Sequence, residues 1–348
     1  MNAFDQSHPR RRMAAQLLVL CCAFWAVSFP AVKGLEMIGR LRTPENGSVF
    51  FAAACVCLRF AIAAVAVALF AWRRLRGMTR LEWKQGLGLG VLGSLGLLLQ
   101  VDGMAYTQAS TSAFLTQGYC VWLPLWVAFR HRRFPSWIVL TASAMVLVGG
   151  AVLSGVSWER PTLGRGEWET LACSVAFTGQ ILWLERPEFR GNDVFRFSTV
   201  MFAVLALATL PLALATAQRP SDLLTVFASP PAMVLIGVLV VFCTLVAFLL
   251  ANRWQPEVPA TEAGLLYSTE PVFTAALGLG LPGWISQWSG IEYANERLTW
   301  NLVIGGGLVL AANAWLQLGQ ASQDPAAAPA AHETPVGGGR GKTMSDER

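Results

Sequence analysis

The sequence predicts an all-α membrane protein with ten transmembrane helices arranged as two inverted five-helix repeats. Composition is the first observation: 54% of the 348 residues are hydrophobic and 14% are charged, whereas soluble domains carry about 25% charged residues. The second is a series of ten apolar segments that reach or approach the length of about 20 residues needed to cross a bilayer. The third is a similarity between the two halves of the chain.

The ten predicted spans follow one another with short connecting loops. They are Met13–Val32, Val49–Trp72, Gly86–Tyr106, Ser112–Phe129, Pro135–Leu153, Thr170–Leu184, Ser198–Ala217, Ala232–Ala251, Ala263–Leu281 and Leu298–Leu318. The sixth is the weakest, because Thr178, Gly179 and Gln180 interrupt a short apolar run. The sequence lacks the alternating runs of about ten residues that are typical of a transmembrane β-barrel. Residues 320–348 are rich in Ala, Pro and Gly, which predicts a disordered cytoplasmic tail.

Lysines and arginines predict the orientation of the chain. If the N-terminus lies inside and ten spans alternate, the inner segments carry 18 of these residues and the outer segments carry 7. Positive residues favour the cytoplasmic side, so we expect a multi-pass protein of the cell (inner) membrane with both termini cytoplasmic. The net charge of +5 is then explained by the orientation of the chain in the membrane, and we expect no nucleic-acid partner.

Cysteine and histidine usage predicts neither a disulfide framework nor a metal site. All seven cysteines fall inside predicted spans, where they are expected to be small buried apolar side chains. No Cys or His spacing suits zinc, so we expect no metal and no cofactor.

A short internal similarity relates the two halves. Ala113–Val121 aligns with Gly264–Val272 at an offset of 151 residues, which superposes spans one to five on spans six to ten. Because five is odd, the second half must enter the membrane in the opposite orientation. Inverted repeats of this kind are typical of secondary transporters, whose halves move about a site near the midplane.

Six motifs then occur in order along residues 15–319: Ala23–Lys33 (AFWAVSFPAVK), Leu58–Phe60 (LRF), Tyr106–Thr116, Gly166–Glu167, Glu270–Phe273 and Glu296–Thr299. Together they resemble EamA-type proteins of the drug/metabolite transporter superfamily. The resemblance implies one five-helix unit over residues 13–154, a second over 166–319, and movement of a small molecule by alternating access.

The chain also departs from this family in three places. Arg130–Phe134 stands where many members have Gly-Glu-Arg-Leu, and a Trp-rich stretch of extra residues, Pro282–Asn295, separates spans nine and ten. Tyr119 and Cys120 occupy the first-half position that corresponds to Glu270 and Pro271 in the second half. The resemblance therefore implies the fold and leaves the substrate open.

Polar and aromatic residues within the spans are the candidates for a substrate cavity. They are Trp25, Gln100, Asp102, Gln117, Tyr119, Gln180, Trp183, Tyr267 and Glu270. Glu270 leads because a charged residue at the centre of a span costs about 2.5–3.5 kcal/mol and so usually faces the bundle interior. For each of them the alternative is a hydrogen bond or packing contact between helices. Pro30, Pro124 and Pro271 are candidate kinks or hinges.

Arg59 has three interpretations. It lies about 21 Å from the inner end of span two, so it could extend its side chain to the outer surface, pair with Asp102 or Glu270, or meet an anionic substrate. Extension or pairing is favoured.

These observations predict a secondary transporter that moves a small organic metabolite, with export as the expected direction. Proton coupling through an intramembrane carboxylate is an open part of this prediction, as is the oligomeric state. The alternative is a non-transporting receptor or a membrane-embedded enzyme. All three histidines, His8, His131 and His332, lie outside the core of any span, so we expect no enzyme.

Overall fold

The computed structural model describes residues 7–132, 134–153 and 164–323, and within these ranges the regular structure is helical, without a strand. The principal helices are α1 (Ser7–Arg42), α2 (Ser48–Phe70), α3 (Arg80–Gly103), α4 (Ala109–Thr116), α5 (Tyr119–His131), α6 (Trp137–Leu153), α7 (Arg165–Leu184), α8 (Val194–Thr216), α9 (Pro230–Val240), α10 (Ala247–Trp254), α11 (Ala260–Tyr267), α12 (Glu270–Gly278), α13 (Leu281–Ser289) and α14 (Trp300–Gln323).

All ten apolar segments identified in the sequence are largely helical, but not all are long continuous helices. Five helical stretches are long and apolar enough to cross a membrane: Pro9–Arg42, Ser48–Phe70, Arg80–Gly103, Val194–Thr216 and Pro230–Glu257. Trp137–Val152 and Trp300–Trp315 are shorter apolar helices. The structure is thus a membrane-like helical bundle, whereas ten complete crossings remain a prediction. Residues 324–348 of the predicted tail lie outside the described residues, and α14 extends to Gln323.

Local sequence explains where two of the long helices begin. Thr79 starts α3 with a capping box, in which its hydroxyl accepts from the Glu82 amide and Glu82 accepts from the Thr79 amide at 2.7 Å. Asp193 caps α8 through the amides of Phe195 and Arg196. Glu82 also accepts from the Asp193 amide at 3.0 Å. The buried carboxylate of Glu82 therefore holds the N-terminal ends of α3 and α8 next to each other.

Glycines of α3 allow the bundle to pack tightly. A Cβ atom added to Gly86 would lie 2.5 Å from the Phe197 carbonyl of α8, and one added to Gly90 would lie 2.6 Å from Val204. Helix α3 thus lies against α8 on one side, and it also packs on α7. Elsewhere α2 packs on α8, α6 on α14, and α1 on α9, α10 and α12. The glycine-rich stretch of α3 serves close helix packing, as its position inside a span predicts.

The fourth and ninth predicted spans are each interrupted in the middle by a two-residue turn, which we call a break, and the turn residues keep right-handed helical dihedrals. Helix α4 ends at Thr116 and α5 begins at Tyr119, whereas α11 ends at Tyr267 and α12 begins at Glu270. The second break lies 151 residues after the first, which is the offset that aligns the two halves of the sequence.

The three candidate hinge prolines occupy different positions. Pro30 and Pro124 lie inside α1 and α5, where a proline removes a backbone donor. Pro271 instead belongs to the first turn of α12, a position that proline fits because amides there lack helical partners. The nearby Tyr267 carbonyl accepts from the Cys22 thiol at 3.8 Å. Hinge motion remains a prediction for Pro30 and Pro124, whereas the first-turn position of Pro271 favours a structural role without a hinge.

The Trp-rich insertion contains a helix that the sequence analysis did not predict. Helix α13 lies in this insertion and packs on α1, α9 and α12. Ile285 of α13 is fully buried, and it would lie 3.2 Å from a Cβ atom at Gly34 of α1. The insertion is therefore part of the packed bundle.

Candidate functional site

A cavity of about 100 Å³ lies where the two broken helices meet α1, α2, α3, α7 and α10. Its lining residues are Trp25, Ser28, Arg59, Leu89, Leu97, Gln100, Thr116, Tyr119, Phe177, Gln180, Ile181, Leu184, Phe248, Ala251, Asn252, Gln255, Tyr267 and Glu270. The four residues that flank the breaks, Thr116, Tyr119, Tyr267 and Glu270, all belong to this set. Two pairs of residues that are 151 positions apart, Thr116 with Tyr267 and Tyr119 with Glu270, therefore line one cavity.

Aromatic rings form part of the cavity wall. The Trp25 ring lies 5.3 Å from both the Tyr267 and the Phe248 rings in edge-on geometry, which is a favoured arrangement of aromatic pairs. Phe248 also contacts Phe60 in the same manner. The buried indole nitrogen of Trp25 has no hydrogen-bond partner among the described residues. This donor is consequently free to serve a bound molecule.

Hydrogen bonds of ordinary length connect several polar side chains of the cavity lining to one another and to the backbone. Gln100 donates to the Thr116 hydroxyl at 3.1 Å. Tyr267 donates to Gln255 at 2.9 Å, and the Gln255 amide donates to the Ile181 carbonyl of α7 at 3.0 Å. These contacts connect both broken helices to their neighbours, so the positions of the polar groups are fixed before any ligand enters.

Glu270 is the carboxylate of the cavity. It lies in the first turn of α12 and its residue is 8% exposed. Within the described residues, no Lys, Arg or His nitrogen forms an ion pair with it. The N-terminus of a helix favours a negative group, which offsets part of the burial cost. Glu270 thus presents an unpaired acid to the cavity.

Arg59 is the cation of the cavity. Its Nη2 donates to the Cys243 carbonyl at 2.7 Å, and its Nε donates to the Thr244 hydroxyl. Both acceptors belong to a π-helical segment, Val241–Val246, that joins α9 to α10. Such segments interrupt the regular hydrogen-bond ladder and often occur at functional sites. The π segment therefore brings two neutral acceptors to a buried guanidinium.

The structure brings six of the nine candidate residues to this cavity and places three elsewhere. Trp25, Gln100, Tyr119, Gln180, Tyr267 and Glu270 line it. Asp102 pairs with Arg165 at the junction of α3 and α7. Gln117 is 1% exposed and donates to the Ala113 carbonyl at 3.2 Å. Trp183 donates to the Gln85 carbonyl at 3.2 Å and lines a separate, larger opening.

That larger opening is a vestibule of about 2210 Å³ at the end of the bundle where α1 and α3 begin. We call this the inner end, because the sequence predicts it to be cytoplasmic. Leu184 and Asn252 line both the vestibule and the cavity, so the two spaces adjoin. The described lining includes six arginines and three carboxylates: Arg10, Arg74, Arg130, Arg186, Arg190, Arg253, Glu185, Asp193 and Glu257.

The opposite, outer end is tied together by polar contacts. Arg165 of α7 pairs with Asp102 of α3 and donates to the Tyr106 hydroxyl at 2.7 Å. Tyr106 in turn lies 2.8 Å from the Ser48 hydroxyl at the start of α2. Lys33 of α1 donates to the Thr107 carbonyl at 3.0 Å. Four helices are thus linked at the outer end. The inner end is also linked, by the Arg10–Glu257 and Arg11–Glu262 ion pairs, but there the vestibule opens between the elements.

Four polar residues of the cavity were not among the sequence candidates: Ser28, Thr116, Asn252 and Gln255. Asn252 and Gln255 follow Ala251, where the predicted eighth span ends, and a polar run after a span is ordinarily a loop. In the structure helix α10 continues to Trp254, so Asn252 remains buried and donates to Ser198 at 2.9 Å. The downstream proline, Pro256, is the sequence signal that would have moved the helix end.

Comparisons with known proteins support a membrane transporter. No protein-family model matches the chain. A protein of Archaeoglobus fulgidus named "Uncharacterized transporter" is 27% identical over 269 residues, which cover 76% of this chain and 76% of that protein. One solved structure, described as "Crystal structure of protein", superposes with a TM-score of 0.66 at 15% identity, over 90% of this chain and 99% of that one. The first comparison relates the chain to a transporter, and the second shows a shared fold.

Proposed function

We propose that this protein is a secondary transporter that moves a small organic metabolite across the cell membrane by alternating access. The observation that carries the proposal is the pair of broken helices, whose flanking residues Thr116, Tyr119, Tyr267 and Glu270 line one cavity. Interrupted helices at corresponding positions of two halves are the feature that marks substrate sites in transporters with inverted repeats. The relative named as a transporter supports the same conclusion.

The halves are proposed to be inverted five-helix repeats of the EamA type. The 151-residue offset between the breaks supports this arrangement, as do the six sequence motifs. Contacts between the halves also follow the pattern of a two-fold repeat, since α2 packs on α8 and α6 packs on α14. In each of these pairs the two helices occupy corresponding positions of the two repeats.

Alternating access accounts for the difference between the two ends. The cavity adjoins the vestibule through Leu184 and Asn252, whereas Asp102, Arg165 and Lys33 make contacts that link helices at the outer end. We assign this arrangement to an inward-facing state with both termini cytoplasmic. Separation of the outer contacts and closure of the vestibule would give the outward-facing state. Export is the proposed direction, on the resemblance to drug/metabolite transporters.

Glu270 is the proposed coupling or substrate-binding group. An unpaired buried carboxylate can exchange a proton or accept a hydrogen bond from a ligand, and either role makes flux depend on it. Its exposure to the cavity distinguishes it from Asp102, whose charge is already compensated by Arg165.

The test begins with a comparison of metabolites in cells that lack the protein and cells that overproduce it. The compound that changes most is then offered to proteoliposomes containing the purified protein. We expect saturable flux that needs no nucleotide and exceeds flux into protein-free liposomes. Specific binding of the compound without flux would instead favour a receptor, and chemical conversion of it would favour an enzyme.

A further inference from the structure

The buried guanidinium of Arg59 has no counter-ion in the part of the chain that the structure describes. Its residue is 5% exposed, which excludes extension of the side chain to the outer surface. Asp102 pairs with Arg165 instead, and no ion pair joins Arg59 to Glu270 or to any other carboxylate among the described residues. Two of the three interpretations of Arg59 that the sequence left open are thereby removed. The partners that the protein gives the guanidinium are neutral: two hydrogen-bond acceptors and the Phe60 ring, whose centroid lies 5.3 Å from Cζ.

The protein satisfies only part of the hydrogen-bonding capacity of Arg59. A guanidinium has five N–H donors, and the two hydrogen bonds of this one go to the neutral oxygens of Cys243 and Thr244. Nη1 donates to no acceptor among the described residues, and the side chain lines the cavity. An anion that enters the cavity would supply both the missing acceptors and the missing charge.

We propose that Arg59 is the anion-binding residue of the cavity and that the transported substrate is a small carboxylate. The planar fork of a guanidinium matches the two oxygens of a carboxylate. The aromatic wall formed by Trp25, Tyr267 and Phe248 favours an apolar body beside that group. This inference rests on the proposed transport function, because it names the substrate class of the same cavity.

Charges around the vestibule, which follow from its predicted cytoplasmic position, also suit an anionic substrate. Arginines outnumber carboxylates by six to three in its described lining. A cleft lined mainly by one sign of charge raises the local concentration of ligands of the opposite sign. A carboxylate is therefore attracted along the inner route to the cavity. Glu270 lines the same cavity and would repel a second negative group. The ligand should therefore direct its carboxylate to Arg59 and a hydrogen-bond donor to Glu270.

The test compares carboxylates with their uncharged carboxamides, using full-length protein in detergent. Acetate is paired with acetamide, benzoate with benzamide, and hydroxybenzoate with hydroxybenzamide, and binding is measured as the rise in Tm with ligand concentration. We expect carboxylates to bind the wild-type protein at least about tenfold more tightly than the matching amides, which is the size of a lost charge-assisted hydrogen bond. Phenyl phosphate separates a carboxylate site from a general anion site.

Variants then test whether Arg59 causes the preference for carboxylates over the matching amides. Arg59→Met should abolish it, and Arg59→Lys should retain part of it because the charge remains. Arg40→Met is the matched control, since Arg40 pairs with Glu36 outside the cavity and vestibule. Equal binding of carboxylates and amides to the wild type would overturn the proposal even if Arg59→Met did not fold. So would a stronger response to phenyl phosphate, no response to any carboxylate, or an unchanged preference in folded Arg59→Met. Saturable flux of an uncharged metabolite would overturn the carboxylate class and leave the transport function intact.

Discussion

The two broken helices have the same backbone design and different chemistry. In the first half, Thr116 and Tyr119 flank the break, and Gln100 donates to Thr116. In the second half, Tyr267 and Glu270 flank it, and the carboxylate of Glu270 has no ion-pair partner among the described residues. Equivalent positions thus carry a neutral phenol in one half and an acid in the other.

The positions of the two breaks belong to the fold, whereas the side chains beside them are expected to determine ligand binding. A repeated backbone can place four residues around one cavity without specifying what the cavity binds. Among the described residues that line the cavity, the one acid comes from the second half and the one arginine, Arg59, from the first. The asymmetry of side chains, rather than the shared arrangement of helices, is therefore expected to decide which molecules are moved.

The largest effect is expected when the second-half acid is neutralised. Glu270→Gln should lower flux in proteoliposomes by at least about tenfold, because a charged hydrogen bond contributes about 1.5–3 kcal/mol, and it should reduce any change of flux across pH 6–8. The equivalent first-half change, Tyr119→Phe, should lower flux by less than about threefold, as it removes one neutral hydroxyl. Equal effects of the two variants would contradict the asymmetry.

Glu188→Gln is the matched control for the carboxylate change. Glu188 lies outside the spans and is 3.0 Å from the Lys84 ammonium. The hydrogen bond from Lys84 holds the pKa of the Glu188 carboxyl below its usual value, so the control removes a fully ionised group away from the cavity. Its flux should equal that of the wild-type protein.

A smaller effect is expected at the outer contacts. Asp102→Asn weakens the ion pair with Arg165. An ion pair with one solvent-exposed partner contributes about 1 kcal/mol. Its loss would change the ratio of outward-facing to inward-facing molecules by about fivefold. Ser28→Cys in the cavity reports the change, since all seven native cysteines are buried. We expect a membrane-impermeant maleimide to label it from the outer side about fivefold faster when Asp102 is replaced. An unchanged rate would mean that this ion pair does not hold the outer end closed.

The breaks themselves differ in how much space surrounds them. A Cβ atom at Gly118 would lie 2.6 Å from the Ser174 hydroxyl. This hydroxyl is held in place because it accepts a hydrogen bond from the Trp122 indole and donates one to the Leu171 carbonyl. Gly118→Ala should therefore lower the free energy of unfolding by about 1–3 kcal/mol, measured as a fall in Tm. The second-half counterpart is Thr269, which is buried and whose hydroxyl donates to the Leu266 carbonyl at 2.8 Å. Thr269→Ala should therefore lower the free energy of unfolding by about 1 kcal/mol through the loss of that hydrogen bond. An unchanged Tm of Gly118→Ala would show that the first break is not packed as described.

The smallest effect is expected at Pro271. It lies in the first turn of α12 and interrupts no helical hydrogen bond, and its first-half counterpart is Cys120. Pro271→Ala should change the free energy of unfolding by less than about 1 kcal/mol, mainly through the unfolded chain, and should leave flux unaltered. A large loss of flux with unchanged Tm would instead identify a hinge.

The sequence predicted the helices and much of the cavity because both depend on local patterns. Apolar runs locate the helical segments, and an internal alignment pairs Tyr119 with Glu270. The breaks were not predicted, although polar, glycine and proline residues mark both of them, Gln117 and Gly118 in one span and Ser268–Pro271 in the other. The partners of Arg59 could not be foreseen either, because they depend on a π segment more than 180 residues away. Contacts of that kind arise from tertiary packing, which no local pattern encodes.

Counterflow through Ser28→Cys proteoliposomes is the decisive measurement for transport through the cavity. Vesicles loaded with the unlabelled metabolite should take up the labelled compound without nucleotide, and a maleimide attached to Cys at position 28, in the wall of the cavity, should stop that uptake. Counterflow that continues after complete labelling, or that never exceeds the rate in protein-free vesicles, would contradict transport through the cavity between the two broken helices.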